Sequence, residues 1–314
     1  MGIVVIGTTF MDIKGFPEDI YIPTGRNAGR VEYIHGGVAR NVVEDIANVE
    51  MHPTFVGIVD DSSMGREVVA KLKKHKVNCD YMTVTPDGMG IWLAVFDNNG
   101  DVAGSISKRP NAAPILNMLE QKGDEIFANA DSVVLQVDLS TEIVEKVIEL
   151  AERHHTKVFA LVSNMTIAAE RRDFLRKFDC FICNKLEAGL LFLQDYEGKS
   201  VEEMRELISD RVIRAKIPSM IVTMGGDGCV YADRNGDKGI CLPRPVQVKD
   251  TTGAGDAFCA GVSIGLTYGK TLAEAVEIGT TLASSVLTSS ENVCPRYQPE
   301  EFGIDSSLIG AVQV

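Results

Sequence analysis

The chain has 314 residues, of which 45% are hydrophobic, 24% charged and 6% aromatic, proportions of an ordinary globular protein and not of a disordered or fibrous one. Its 31 Lys and Arg stand against 44 Asp and Glu, a formal charge of −13. No cation excess is left to neutralise nucleic-acid or anionic-lipid phosphates, so neither partner is expected and any phosphate must be held by a local site. The longest uncharged stretches, 257–269 and 278–290, hold 13 residues each, short of the roughly 17–25 apolar residues of a membrane span.

The N-terminus lacks a basic leader and reaches Asp12 after a short apolar run, which predicts a first strand, no signal peptide and a cytoplasmic protein. Gly2–Gly7 suits a strand covered on both faces. Residues 13–36, rich in Gly, Pro and polar side chains, hold a candidate strand at Arg30–Ile34. Helical spacing follows over Val38–Val49, a strand over Thr54–Val59 and a helix over Met64–His75. Residues 80–109 read as strands Tyr81–Thr85, Gly90–Phe96 and Val102–Lys108, the last two joined through Asn98-Asn99-Gly100, a hairpin signal. Then come strand Ser132–Leu135, helix Thr141–His154, strands Lys157–Leu161 and Cys180–Cys183, helices Lys185–Leu193 and Val201–Arg214, and strand Met220–Thr223. A hairpin at Asn235-Gly236 and helices Ala254–Thr267 and Leu272–Ser289 close the series.

This alternation predicts an α/β fold with a mostly parallel sheet and helices on both faces. One domain is expected over 1–314, with a small β lid from about 13–36 and 80–109 over the carboxyl edge of the sheet. Seven scattered cysteines, an odd number, suggest reduced thiols. The one C-x-x-C, Cys180 and Cys183, falls on a strand whose three-residue offset sends the two thiols to opposite faces.

The most informative segment is Asp250-Thr-Thr-Gly-Ala-Gly-Asp-Ala-Phe258, directly before an apolar helix. Gly253 and Gly255 allow a tight turn at the helix start, where amides and the positive end of the dipole converge into an anion hole. Asp256, in the first turn, reads either as a dipole-compensating residue or as the acid that takes a hydroxyl proton beside that cradle. A Walker pattern is one residue short at Gly265-Leu-Thr-Tyr-Gly269-Lys270-Thr271 and follows a helix, and no G-x-G-x-x-G follows the first strand.

With these segments in view, the chain resembles the ribokinase-like (PfkB-type) carbohydrate kinases. Residues 250–258 are similar to the family's C-terminal signature. Gly36-Gly37-Val-Ala-Arg-Asn41 resembles its N-terminal one, Asn184-Lys-Leu-Glu187 its Asn-x-x-Glu element, and Thr223-Met-Gly225-Gly-Asp-Gly228 its nucleotide loop. The resemblance covers essentially the whole chain and implies the family's three-layer fold and an ATP- and Mg2+-dependent transfer of phosphate to a hydroxyl of a sugar or nucleoside. A monovalent cation requirement is left open. By the same resemblance Asp256 is the general base, and the amides of Gly253, Ala254 and Gly255 stabilise the transferring phosphoryl group. Asn184, Thr223, Gly225, Gly228, Gly253 and Gly255 serve the nucleotide, while Asn184 and Glu187 serve magnesium. Asp12, Gly36, Gly37 and Asn41 serve the acceptor.

The bland readings stay beside these: Asn184 and Glu187 as a helix cap, Asp12 as a turn residue, Asn41 as a solvent-facing helix residue. Arg40 and His35 flank the acceptor motif and could touch the ligand, but residues so placed are more often exposed or packing, and neither is counted among the site residues. Within the family the segments are similar to pseudouridine kinases. Where many relatives carry Asp-Pro-Asn, this chain has Val162-Ser163-Asn164. Trp92 on a lid strand either stacks on a base or packs between strands. A dimer through the lids would cover their strand edges. The competing class, a non-catalytic sugar or nucleoside sensor, would be signalled by loss of Asp256, which is present.

Overall fold

A computed structural model describes residues 2–309 other than 165, 167 and 168, with the backbone alone at 170 and 171. In chain order its helices and strands are β1 (Ile3–Ile6), β2 (Thr9–Pro17), β3 (Gly29–Gly36), α1 (Val38–Asn48), β4 (Thr54–Val56), β5 (Ile58–Val59), α2 (Ser63–Lys74), β6 (Thr83–Val84), β7 (Met89–Phe96), β8 (Val102–Lys108) and α3 (Ala113–Ala128). There follow β9 (Ser132–Gln136), α4 (Thr141–His154), β10 (Lys157–Leu161), β11 (Cys180–Asn184), α5 (Lys185–Phe192), α6 (Val201–Ala215), β12 (Ser219–Thr223), β13 (Cys229–Asp233), β14 (Lys238–Cys241), α7 (Ala254–Thr267) and α8 (Leu272–Leu287).

The large sheet has eight strands in the order β14-β13-β12-β11-β10-β9-β1-β4. It is parallel from β12 to β4 and antiparallel at the β12-β13-β14 edge. Alternate residues of each strand feed two separate cores, which makes three layers. Val4 and Ile6 pack with Leu119 of α3, Val144 of α4 and Ile208 of α6. Ile3 and Val5 pack with Ile46 of α1, Val262 of α7 and Leu282 of α8. Cys180 belongs to one core and Cys183 to the other, the opposed placement expected of them. This is the three-layer α/β arrangement with a mostly parallel sheet that the sequence led one to expect.

The second sheet has four strands, β3-β2-β7-β8, with β2 and β7 parallel and the two outer pairs antiparallel. It begins at Thr9, earlier than the expected 13. Residues 81–85 do not join it: Thr83–Val84 pair in parallel with β5 instead, held because the Thr83 and Thr85 amides donate to Gly57 and Val59 carbonyls and Met82 packs into the cores behind them. Helix α3 has no counterpart in the sequence reading. Its stripe of Ile115, Leu119 and Ile126 is buried, but Pro114 at its start and Gly123 within it mask the periodicity. Among the described residues no helix is long and apolar enough to cross a membrane.

Candidate active site

Helix α7 starts at Gly253, whose φ of 84° lies in the left-handed region and whose missing Cβ would stand 2.0 Å from the Asn292 carbonyl oxygen. Only glycine fits there. No side chain caps this helix; the Ala254 amide makes a long bond of 3.3 Å to the Thr251 carbonyl, and the positive end of the dipole has no acid cap at its N-terminal residue. At Gly255 a Cβ would meet nothing within 4 Å, which leaves the backbone open to a phosphoryl group.

Asp256, one residue on, opens to a cavity and is otherwise enclosed by protein. Enclosure pushes its carboxyl up to about 7, a rise that the Asn41 hydrogen bond and the Arg40 charge oppose and that Asp12 and Glu187 add to. The Asn41 Nδ2 donates to Asp256 Oδ2 at 2.6 Å. The amide expected to serve sugar hydroxyls is therefore engaged with Asp256, although Asn41 still lines the cavity. A carboxylate titrating near neutrality within reach of a bound hydroxyl is suited to accept its proton.

The cavity holds about 340 Å³ and three elements wall it. Helix starts contribute Gly37, Asn41, Thr252 and Asp256; the small sheet contributes Phe10, Asp12, Trp92 and Ser107. The carboxyl ends of β9 and β10 contribute Gln136, Ser163 and Asn164, the edge at which ligands bind in open α/β sheets. Asp12 is no turn residue: it lies within β2, in register with Trp92 of β7. A Cβ at Gly36 would stand 2.5 Å from the Asp12 carboxylate. Burial raises the Asp12 carboxyl to about 6 against the pull of Lys14 and Arg40.

Sequence reasoning missed Arg109, which also lines the cavity. Its Nη2 donates to the Asp138 carbonyl at 2.9 Å and to Asp138 Oδ2 at 2.7 Å. The Ser163 amide and hydroxyl donate to the same carboxylate at 3.0 and 2.8 Å. Val162-Ser163-Asn164 thus lacks the usual acid of its own but grips one from the neighbouring strand. The sequence signal was Gln136-Val-Asp138, polar residues closing an apolar strand at its carboxyl end.

On the far side Asn184 and Thr223 are register neighbours at the ends of β11 and β12. The cap reading of Asn184 and Glu187 is realised in full: Asn184 Oδ1 accepts from the Glu187 amide at 2.8 Å and Glu187 Oε2 accepts from the Asn184 amide at 2.7 Å. Burial chiefly, with the Asp138 charge, raises the Glu187 carboxyl. Gly228 packs against the Cys241 carbonyl, while Gly225 and Gly226 face open space. From the small sheet, Lys14 reaches Thr252 at 3.1 Å and Asp250 at 3.8 Å.

Among the described residues no three His, Cys, Asp or Glu side chains gather to hold a metal by themselves. Magnesium in phosphoryl-transfer sites is held by one or two carboxylates with water and substrate phosphates. A single carboxylate beside an uncapped helix start and open glycines fits a metal that arrives with a nucleotide.

The fold, the uncapped helix start and the enclosed acid together define a phosphotransferase acting on an alcohol group. Residues 2–294 match the pfkB family carbohydrate kinases, and the chain belongs to that family of sugar and nucleoside kinases, whose members use ATP and Mg2+. It is 32% identical over 292 residues to the guanosine-inosine kinase of Exiguobacterium acetylicum, covering 92% of this chain and 95% of that one. With the pseudouridine kinase of Escherichia coli the identity is 23% over 287 residues, 91% and 90% of the two chains. The ribokinase of Arabidopsis thaliana solved with ribose and ATP superposes with a TM-score of 0.80 at 20% identity, covering 94% of this chain and 96% of that one.

Proposed function

We propose that the chain transfers the γ-phosphoryl group of ATP to a ribosyl hydroxyl of a nucleoside. The observation that carries this reading is one cavity lined both by Asp256, Asn41 and Asp12 and by two aromatic rings, Phe10 and Trp92, with the Arg109 guanidinium. The carboxylates suit vicinal hydroxyls. Aromatic rings suit a base, and Arg109, whose Nη2 is taken by Asp138, keeps Nη1 and Nε hydrogens that can donate singly to an acceptor on it. The likeness to a guanosine-inosine kinase supports the same choice.

In this reading Asp256 takes the hydroxyl proton while the amides of Gly253, Ala254 and Gly255 receive the charge that develops on the transferring group. Thr223, Gly225 and Gly228 hold the nucleotide with Asn184. Asn184 and Glu187 hold Mg2+, which when bound neutralises phosphate charge. Asp12 and the Gly36-Gly37 turn seat the acceptor, and the small sheet closes over it as the lid of a single kinase domain in a cytoplasmic protein. Turnover of ATP against inosine, guanosine, pseudouridine, ribose and fructose phosphates tests the assignment. Stimulation by a purine nucleoside far above the free sugars supports it. Stimulation by a free sugar alone refutes the base end of the cavity, and tight binding without turnover favours a sensor.

The lid also bears on assembly. Its outer face carries the cross-strand row Tyr33, Ile13, Leu93 and Ile106, with Val31 and Val95 in the next row on the same side. Tyr33 and Ile106 are 59% and 71% exposed. A second copy is the partner this reading places on that face, by sheet-to-sheet packing instead of edge pairing. Light scattering of Ile106→Lys beside the parent checks it: a parent dimer that dissociates supports the interface, and a monomeric parent rejects it.

A further inference from the structure

Arg40 is the largest side chain among the fully buried ones, 1% exposed, and its partner Glu44 is 0% exposed. The sequence reading did not count it among the site residues. We propose that Arg40 is a positioning residue for catalysis: it holds the Asn41 amide in the one orientation that donates to Asp256. The proposal rests on Asp256 as the base.

A side-chain amide can sit in two orientations related by a flip, and the partners decide between them. Asn41 Oδ1 accepts from Arg40 Nη2 and from Asn292 Nδ2, the latter at 3.3 Å, while its Nδ2 donates to Asp256 at 2.6 Å. After a flip the amide oxygen would face a carboxylate and the amide hydrogens would face a guanidinium and a second amide nitrogen. All three contacts would oppose like groups. Arg40 itself cannot turn away: its Nη1 donates to Glu44 Oε2 at 2.5 Å, its Nη2 to the His35 carbonyl, and its Nε to the Gly36 carbonyl at 3.4 Å. Glu44 is held in turn by Lys71 at 3.0 Å, with His75 at 3.8 Å. Asn292 completes the frame by donating to the His35 carbonyl at 2.8 Å.

A buried ion pair contributes little stability beyond what apolar residues of the same volume would give. Stability is therefore a weak reason to place one directly behind the base, whereas fixing an amide is a task that apolar residues cannot do. The charged and titratable groups around Asp256 are Arg40 and Asp45 on α1, Asp12 on β2, Glu187 on α5 and Cys259 on its own helix. Arg40 is the cation among them that lowers the Asp256 carboxyl, and Arg109 across the same cavity is paired with Asp138, so losing Arg40 leaves the neighbouring acids to raise that carboxyl further.

The test uses two variants. In the pair Arg40→Met with Glu44→Gln no buried charge is stranded. The expected result is a kcat about 10²-fold lower, as for a misplaced catalytic group, an unchanged KM for ATP, and an acid limb of the kcat profile displaced to higher pH. Arg40→Lys keeps the charge opposite Glu44 but lacks the fork that spans His35, Asn41 and Glu44. It is expected to keep the parent acid limb while losing about tenfold in kcat, and it carries the test alone if the pair does not fold. A parent-like kcat in Arg40→Lys, or a lowered melting temperature with unchanged kcat and pH profile in the pair, overturns the proposal. A parent-like kcat in Asp256→Asn would overturn the base assignment as well, so the two failures are told apart.

Discussion

The two halves of the site are built differently. On the side proposed for the acceptor, Arg40, Asn41, Glu44 and Asn292 are buried and hydrogen-bonded to one another. On the side proposed for the nucleotide, Gly225 and Gly226 face open space, and residues 242–252, which follow β14 and lead to α7, carry no regular secondary structure. The difference follows from what each half must do. A base has to stand in place against the cost of enclosing its charge, so its partners are fixed in the fold. A triphosphate brings its own charge and metal, and open amides complete their contacts on binding.

The largest effect is expected where the comparison is sharpest. Asp256→Asn keeps the shape and can still accept from Asn41, but it cannot take a proton. The kcat should fall by about 10²- to 10⁴-fold with acceptor and ATP binding within a few fold. In the parent, the acid limb of activity should lie near pH 7, where burial sets this carboxyl. Stability should move the opposite way. The folded carboxyl titrates near 7 and the unfolded one near 3.8, so the native state holds its proton more tightly. Stability is then lost as pH rises from about 4 to about 7, and the loss is complete above that. Asn at this position escapes that loss. Thermal melts should place Asp256→Asn above the parent at pH 8 and let the two converge near pH 4. A variant that keeps most of its kcat, or melts below the parent at pH 8, would mean that the acid is not the enclosed base described here.

A smaller and more selective effect is expected at Asp12. Its carboxylate lines the cavity beside Trp92, while Lys14, two residues along β2, ties the small sheet to Thr252. Asp12→Ala should weaken acceptor binding by about 10- to 150-fold, the loss of one hydrogen bond to a charged group of about 1.5–3 kcal/mol, and leave nucleotide affinity alone. Calorimetry with each ligand separates the two. Equal damage to both would mean that Asp12 holds the lid and not the substrate.

The same contrast explains what the sequence made legible. The sheet, α1 and α7 follow from apolar runs and helical spacing whose residues are now in the two cores. The motif positions Asp256, Asn184, Glu187 and Gly253 are local in sequence, because a helix start is assembled from consecutive residues. The support of the base is not local. Asn292 meets His35 and Asn41 across more than 250 positions, and Arg40 sits on a helix face that reads as polar until the chain folds around it. Arg109 escaped for a like reason, since its partner Asp138, which Ser163 also holds, stands just past the end of a strand far from it in sequence. A motif announces the group that does the chemistry, while the residues that aim it are scattered through the chain.

The smallest effect tests the nucleotide half, where a structural and a functional reading share the same two residues. Asn184 and Glu187 close a reciprocal cap on α5, and such a cap works with Gln at its third position as well as with Glu, because an amide oxygen also accepts from the backbone. Glu187→Gln therefore leaves the helix capped and removes only the charge. If the pair does nothing but start a helix, the variant will match the parent in melting temperature and in its Mg2+ titration of activity. If Glu187 helps hold the metal, melting stays close to the parent while the Mg2+ concentration for half-maximal activity rises of order tenfold, the equivalent of about 1.4 kcal/mol. Acceptor affinity should be untouched in either case. A rise in the acceptor KM with no change in Mg2+ dependence would place Glu187 with the buried half of the site, and the contrast between the halves would have to be redrawn there.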